Sequence, residues 1–123
     1  MVLVDTSIWI SHFRKGERRL EMLLQDAEVL THPFIVGELA CGNLKNRREI
    51  LSLLQSLPGI SAVSQEELLY FIEERGLMGS GVGFVYAHLL ASAQLNHFPI
   101  WTFDTPLERS ASRLNLSYHS PNK

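Results

Sequence analysis

Short apolar runs alternate along this chain with longer stretches of helical periodicity. The first run, Val2-Leu3-Val4, is too short for a helix and is followed directly by the carboxylate of Asp5. Apolar runs of this length are typical of strands that are buried on both faces of a parallel sheet. Strands that alternate with helices therefore predict an α/β fold, in which helices cover both faces of a parallel sheet.

Turn and capping residues divide the rest of the chain into elements. They predict strands over residues 2–4, 28–31, 60–63, 100–103 and 116–118. They predict helices over residues 8–13, 17–25, 33–40, 47–57, 64–75 and 82–96, and a last helix that begins at 104–106. Thr6 or Ser7 is the expected cap of the first helix, and Ser64 with Glu67 matches a capping box.

The length of 123 residues fits one domain over residues 1–123, since no linker, repeat or low-complexity tract divides it. The single cysteine, Cys41, cannot form an internal disulfide, which favours a reducing, cytoplasmic compartment. Its apolar helical context predicts a buried thiol. The first residues lack the basic segment of a signal peptide, so none is predicted.

Residues 76–103 contain no Asp, Glu, Lys or Arg, which raises the question of a membrane span. The run nevertheless holds four glycines near its start, several polar side chains and Pro99 near its end. A turn, a buried helix and a buried strand explain this pattern better than a span does. No membrane partner is predicted.

Three acidic residues stand where the predicted elements would bring them together. Asp5 and Asp104 each follow a strand, and Glu38 lies on the helix after the second strand. Ligands of open α/β sheets bind at the carboxyl edge of the strands. Converging carboxylates are hard oxygen ligands that suit Mg²⁺ or Mn²⁺. The simpler alternative is that each aspartate only caps a helix, and this applies most to Asp104, which precedes Thr105-Pro106.

Four motifs give a more specific signal when they are taken together. The four segments occur in order and cover essentially the whole chain: Val2-Leu3-Val4-Asp5-Thr6-Ser7-Ile8-Trp9-Ile10, Glu38-Leu39-Ala40-Cys41-Gly42, the stretch from Gly81 to Ala93, and Trp101-Thr102-Phe103-Asp104-Thr105-Pro106-Leu107. With these segments the sequence resembles PIN domains, and its length and arrangement resemble the VapC-type toxins of toxin–antitoxin pairs.

This resemblance implies a three-layer α/β/α sandwich around a short central parallel sheet. It implies an endoribonuclease that depends on Mg²⁺ or Mn²⁺ and cleaves RNA, often a structured RNA such as tRNA. The acidic residues of the family carry over to Asp5, Glu38 and Asp104, which would be both catalytic and metal-binding. The hydroxyls of Thr6 and Thr102 would support them. A homodimer and a cognate antitoxin that blocks the cleft are the expected partners.

Tyr86 departs from the family pattern, which carries an aspartate at this place in an otherwise intact motif. A neutral phenol, with an ordinary pKa of about 10, does not supply the anionic oxygen that a metal site uses. Three interpretations stay open. Tyr86 is an inactivating replacement of an aspartate, or a natural divergence in a one-metal enzyme or a binding protein, or a silent aromatic of the core.

Basic residues form clusters that could contact the RNA backbone, although the net charge of −2 is weak support for nucleic-acid binding. Solvated helix faces are the simpler explanation of each cluster. Trp9 and Trp101 stand in apolar contexts, where core packing is favoured over base stacking. The basic clusters are Arg14, Lys15, Arg18 and Arg19, then Lys45, Arg47 and Arg48, then Arg109 and Arg113.

Two other classes of protein compete with a nuclease. One is a catalytically inactive PIN-like module that binds antitoxin or RNA. The other is a phosphatase or receiver-like α/β domain, which also carries an aspartate after its first strand. The segment Asp5-Thr6-Ser7 lacks the second aspartate of a D-x-D pair, and no lysine stands near the last strands, so this class is disfavoured.

Overall fold

The computed structural model describes residues 1–119. Within them the chain forms three strands and seven helices. The strands are β1 (Val2–Val4), β2 (Val29–Leu30) and β3 (Ile100–Trp101). The helices are α1 (Thr6–Lys15), α2 (Arg18–Gln25), α3 (Pro33–Ala40), α4 (Arg47–Ser56), α5 (Gln65–Arg75), α6 (Phe84–Asn96) and α7 (Thr105–Arg113).

The strands form one parallel sheet in the order β2-β1-β3. Leu3 pairs with Leu30 on one side and with Ile100 on the other. Because the chain adds β2 to one side of β1 and β3 to the other, the strand order switches direction at β1. In open α/β sheets the carboxyl edge at such a switch point is the usual place for a ligand. Here that edge carries the residues directly after β1 and β3.

The core confirms the α/β class that the alternation predicts. All three residues of β1 are buried, as expected for a central strand that is covered on both faces. Helix α3 packs against α1 and α4, and α5 packs against α6. Trp9 is fully buried, whereas Trp101 is only half-buried. The result is a three-layer α/β/α arrangement around a short parallel sheet.

The capping residues differ in part from those expected. Asp5, and not Thr6 or Ser7, caps α1, since its side chain accepts a hydrogen bond from the backbone N–H of Ser7. The predicted capping box of α5 is confirmed: Ser64 accepts from the backbone N–H of Glu67, and Glu67 accepts from that of Ser64.

Two predicted strands are reduced to single bridges. The strand expected over residues 60–63 is wrong, because only Gly59 pairs there, with Thr31. Ile60 is buried, but Ser61 and Ala62 are exposed, so the segment lacks the alternating or continuous burial of a strand. Likewise, the expected strand over residues 116–118 contributes one bridge, between Ser117 and Ile100.

The prediction of a buried Cys41 is also wrong. Cys41 is the C-terminal cap of α3 and its side chain is exposed. The last buried residue of that helix is Leu39, so the apolar face ends before the cysteine. Among residues 1–119, no helix has the length and the apolar composition that a membrane span requires.

Candidate active site

Asp5 stands at the end of β1 and is completely buried. Its Oδ2 atom accepts three hydrogen bonds, from the Ser7 N–H at 3.3 Å, the Ser7 hydroxyl at 2.8 Å and the Thr102 hydroxyl at 2.7 Å. Its Oδ1 atom is buried and has no hydrogen-bond partner among the described residues. A buried carboxylate oxygen without a partner is costly, which makes Oδ1 the unexplained polar atom of this edge.

The two hydroxyls that hold Asp5 also hold the turn after β3. The Thr102 hydroxyl accepts from the backbone N–H of Asp104 at 2.9 Å, and the Ser7 hydroxyl accepts from that of Phe103 at 3.0 Å. Each hydroxyl has one proton, which it donates to Asp5, and lone pairs that receive these N–H groups. The network therefore ties the carboxyl ends of β1 and β3 together.

Asp104 begins the last helix. Its Oδ2 atom accepts a hydrogen bond from the backbone N–H of Leu107 at 3.0 Å, so it is the N-terminal cap of α7. Both aspartates thus act as helix caps, as the simpler alternative requires. Capping engages the Oδ2 atom of each carboxylate and does not exclude a ligand at the other oxygen.

Glu38 joins the site from α3. It is exposed, and its Oε1 atom accepts a hydrogen bond from the Thr6 hydroxyl at 2.8 Å. This contact links α3 to the first residue of α1, next to Asp5. The two threonines singled out in the sequence therefore each contact one of the three acidic residues.

Tyr86 is influenced by all three carboxylates. Partial burial raises the pKa of its phenol to about 12, and the negative charges of Asp5, Asp104 and Glu38 contribute in that order. Tyr86 also packs its ring against the core, which makes it a neighbour of both the core and the acidic edge.

The donor chemistry of the edge fits a hard divalent cation. Three carboxylates act on the phenol of Tyr86, and Asp5 contributes an oxygen without a hydrogen-bond partner among the described residues. Distance is the opposing observation: among residues 1–119, no three His, Cys, Asp or Glu side chains lie close enough together to hold one ion. The residues thus fit such an ion in type and charge, but their spacing does not bring three ligands onto one ion.

Ser7 is the site residue that the sequence did not single out except as a cap. Its hydroxyl contacts Asp5, Thr102 and the backbone of Phe103. The sequence did contain a signal for this role of Ser7, because a hydroxyl two residues after a capping aspartate lies at the same helix terminus.

The basic residues lie outside this network. Arg14 and Lys15 end α1, about 15 Å along the helix axis from Asp5. Arg19 is engaged elsewhere, since its Nε donates to the Tyr118 hydroxyl at 2.8 Å. The remaining members of the first two clusters, Arg18, Lys45, Arg47 and Arg48, are exposed.

Comparisons with known proteins agree with this architecture. The family model of the PIN domain matches residues 2–112. The chain belongs to the PIN domain family. Ribonuclease VapC32, found in two strains of Mycobacterium tuberculosis, is 41% identical over 118 residues, which are 95% of this chain and 95% of that protein.

Two solved structures share the fold. PAE2754 from Pyrobaculum aerophilum superimposes with a TM-score of 0.64 at 15% identity, over 89% of this chain and 83% of that one. FitAB bound to an IR36 DNA fragment superimposes with a TM-score of 0.62 at 14% identity, over 91% of each chain. At these identities the likeness is one of fold alone.

Proposed function

We propose that this chain has the architecture of a divalent-metal-dependent endoribonuclease, the toxin of a toxin–antitoxin pair, and that Tyr86 lowers its activity. The observation that carries the proposal is the hydrogen-bond network that joins Asp5 to the Asp104 backbone through Thr102, with Glu38 bonded to Thr6 beside it. The charges of all three acids also contribute to the raised pKa of Tyr86. The relative named Ribonuclease VapC32, which matches nearly the whole chain, supports the reaction class.

The proposed mechanism assigns a role to each acidic residue. A bound Mg²⁺ or Mn²⁺ would activate water and offset the charge that builds on the scissile phosphate. Asp5 and Asp104 would hold the ion, and Glu38 would bind it or orient the attacking water. Thr102 and Ser7 fix the rotamer of Asp5 by donating to Oδ2, so that Oδ1 remains for the ligand.

Cleavage of RNA with and without Mn²⁺ tests the proposal directly. We expect weak or no cleavage by the chain as it stands and metal-dependent cleavage by Tyr86→Asp, co-expressed with its antitoxin if it is toxic and then purified away from it. The matched control is Tyr70→Asp, because Tyr70 is exposed on α5 and the substitution adds the same charge elsewhere. Only the Tyr86 variant should gain activity.

Asp5→Asn in the Tyr86→Asp background then tests the assignment of the acidic site. The amide keeps the shape of the side chain but removes its charge, so we expect loss of the metal-dependent activity. Full activity in this double variant would refute the role of Asp5. Equal activity of the parent chain and Tyr86→Asp would refute the proposed effect of Tyr86.

A non-catalytic binding module is the second candidate, and the phenol at position 86 favours it. Such a protein would retain the fold and bind RNA or antitoxin without cleaving RNA. Titration with Mn²⁺ separates the two candidates. The absence of binding at millimolar Mn²⁺ by both the parent chain and Tyr86→Asp would favour the binding module.

The partners belong to the same proposal. A cognate antitoxin, a homodimer and a structured RNA such as tRNA are expected of a VapC-type toxin, and the exposed basic clusters are the proposed RNA contacts. Light scattering coupled to size-exclusion chromatography tests the homodimer. Elution as a monomer across micromolar concentrations would contradict it.

A further inference from the structure

A cleft of about 560 Å³ opens beside the turn that carries Asp104. This volume lies within the range that is typical of small-molecule sites. The walls come from the end of β3, from α7 and from the segment after it. The described lining includes Trp101, Phe103, Thr105, Arg109 and Tyr118.

Three aromatic rings build the cleft. The ring of Trp101 lies 6.1 Å from that of Phe103 in an edge-to-face arrangement and 5.7 Å from that of Tyr118. Phe103 is 53% exposed, although a large apolar side chain is usually packed away from water. Trp101 is half-buried. Phe103 and part of Trp101 are thus accessible to solvent at this place.

Polar contacts hold these rings in position. The guanidinium of Arg19 lies 5.8 Å above the Tyr118 ring, and its Nε donates to the Tyr118 hydroxyl. The backbone N–H of Phe103 donates to the Ser7 hydroxyl, which also contacts Asp5. Phe103 is therefore fixed to the same network that orients the acidic site.

One cation and one carboxylate lie in the described lining of the cleft. Arg109 is exposed on its wall, where its guanidinium can contact a phosphate. The carboxylate, Glu108, accepts hydrogen bonds from the Ser112 and Ser117 hydroxyls, so its Oε1 atom is engaged within the protein. An aromatic surface beside an arginine is the combination with which proteins hold unpaired nucleotides.

We propose that this cleft binds an unpaired nucleobase of the RNA, next to the phosphate that the acidic site acts on. Phe103 would stack on the base, with Trp101 beside it at the edge, and Arg109 would contact a neighbouring phosphate. This inference rests on the proposed function, because the position of the cleft has meaning for RNA only if the acidic edge takes a phosphate. Residues 103–105 connect the two sites without a gap.

The geometry favours a base over a protein segment. The exposed surface is aromatic, its cation is an arginine, and it adjoins Asp104 directly. Such a site distinguishes single-stranded from paired RNA, since a base within a duplex cannot leave its stack without cost. The expected preference is thus for unpaired RNA with little dependence on sequence.

Binding without cleavage is the test. In EDTA, the fluorescence of Trp101 is followed while a short single-stranded oligoribonucleotide of mixed sequence, or the same sequence as a duplex, is added to the full chain. Trp9 is fully buried and provides a constant background. Phe103→Ala is compared with Phe84→Ala, a matched control because Phe84 is 59% exposed and lies outside the cleft.

We expect the single strand to quench Trp101 and to bind more tightly than the duplex. Phe103→Ala should weaken this binding by about 10-fold, while Phe84→Ala leaves it unchanged. Equal affinity of the two variants, or no binding of the single strand to the parent chain, would overturn the proposal. So would a Phe103→Ala variant that loses self-association or antitoxin binding but keeps its RNA affinity.

Cleavage by Tyr86→Asp is measured separately, so that the two proposals fail independently. If Tyr86→Asp cleaves RNA and Phe103→Ala does not alter binding, the cleft is refuted and the nuclease stands. If RNA binding depends on Phe103 but no variant cleaves, the nuclease is refuted and the cleft stands. Thermal unfolding of each variant shows whether the substitution has altered the fold.

Discussion

Tyr86 differs from an aspartate in charge and in size. A carboxylate at this place would add a fourth negative charge to Asp5, Glu38 and Asp104, which is tolerable only with a cation. The phenol adds none, and its ring packs against the core. The charges of all three acids also contribute to the raised pKa of this phenol, so Tyr86 is exposed to the acidic edge as well as to the core.

Alkaline titration tests this environment. The pKa of Tyr86 is raised to about 12 from 10, so its phenol stays neutral at pH values where an unfolded chain would ionise it. The contribution to stability is complete below pH 10 and is lost as the pH rises through about 12. We expect the ultraviolet absorbance of phenolate to show a late step that Tyr86→Phe removes. If Tyr86→Phe instead removed a step near the ordinary phenol pKa of about 10, Tyr86 would not lie in this partly buried, acidic environment.

At the same scale, the sequence singled out the three acids, and the family resemblance added Thr6 and Thr102, but the part that Ser7 plays was missed. Asp5 and Asp104 were singled out because each follows a predicted strand, at the edge where open α/β sheets bind ligands. The bond between Thr102 and Asp5 joins residues 97 positions apart, so it depends on the pairing of β1 with β3. The local sequence pattern does not reveal which strands pair, and for that reason Ser7 was predicted only as a helix cap.

Among the elements, α5 shows where local sequence decides structure. Its capping box needs only Ser64 and Glu67, and the structure contains both hydrogen bonds. The segment over residues 60–63 shows the opposite case. Its composition suits a strand, but only Gly59 reaches the sheet, through Thr31, and no further partner strand is available to it among the described residues.

Removal of the α5 cap should be measurable. Ser64→Ala removes the side chain that accepts from the Glu67 N–H at 3.1 Å, and we expect a loss of about 1 kcal/mol in the free energy of unfolding. Ser61→Ala is the control, because Ser61 is exposed in the preceding segment. Urea denaturation of both variants measures the difference. Equal stability would mean that packing alone fixes the start of α5.

Helix α3 begins at an unusual cap, the buried imidazole of His32. Its Nδ1 accepts from the Phe34 N–H at 3.1 Å, so the proton is on Nε2, which donates to the Ser92 hydroxyl at 3.1 Å. Burial, with a smaller contribution from His88, lowers the pKa of His32 to about 4. Protonation of Nδ1 would break the cap.

Acid should therefore destabilise the fold through His32. Since its pKa is 6.5 in the reference state and about 4 when folded, the unfolded chain binds a proton first, and stability falls as the pH drops from 6.5 towards 4. We expect roughly 2 kcal/mol less stability at pH 4.5 than at pH 7 from this residue. His32→Asn keeps a capping oxygen and should show a smaller difference between the two pH values. His97→Asn, at an exposed residue with positive φ, should leave it unchanged.

On the scale of the whole molecule, a ligand that binds only the folded state stabilises every element at once. A metal held between the ends of β1 and β3 would link the two strands that are farthest apart in sequence. The gain in the free energy of unfolding increases with the ratio of the free metal concentration to the dissociation constant. It is about 2.7 kcal/mol at a ratio of 100. For a domain of this size, that corresponds to a rise of about 10 °C in Tm.

We expect a metal-dependent rise in Tm for Tyr86→Asp and a much smaller one for the parent chain. With millimolar Mn²⁺, the Tm of Tyr86→Asp should rise by several degrees and return to its starting value in EDTA. The parent chain should shift by less than about 2 °C, since a dissociation constant near the metal concentration gives only about 0.4 kcal/mol. Addition of Asp5→Asn to Tyr86→Asp should abolish the rise, because it removes the charge of the anchoring ligand. An equal rise in all three proteins would place the metal elsewhere on the molecule and remove the physical basis of the acidic site.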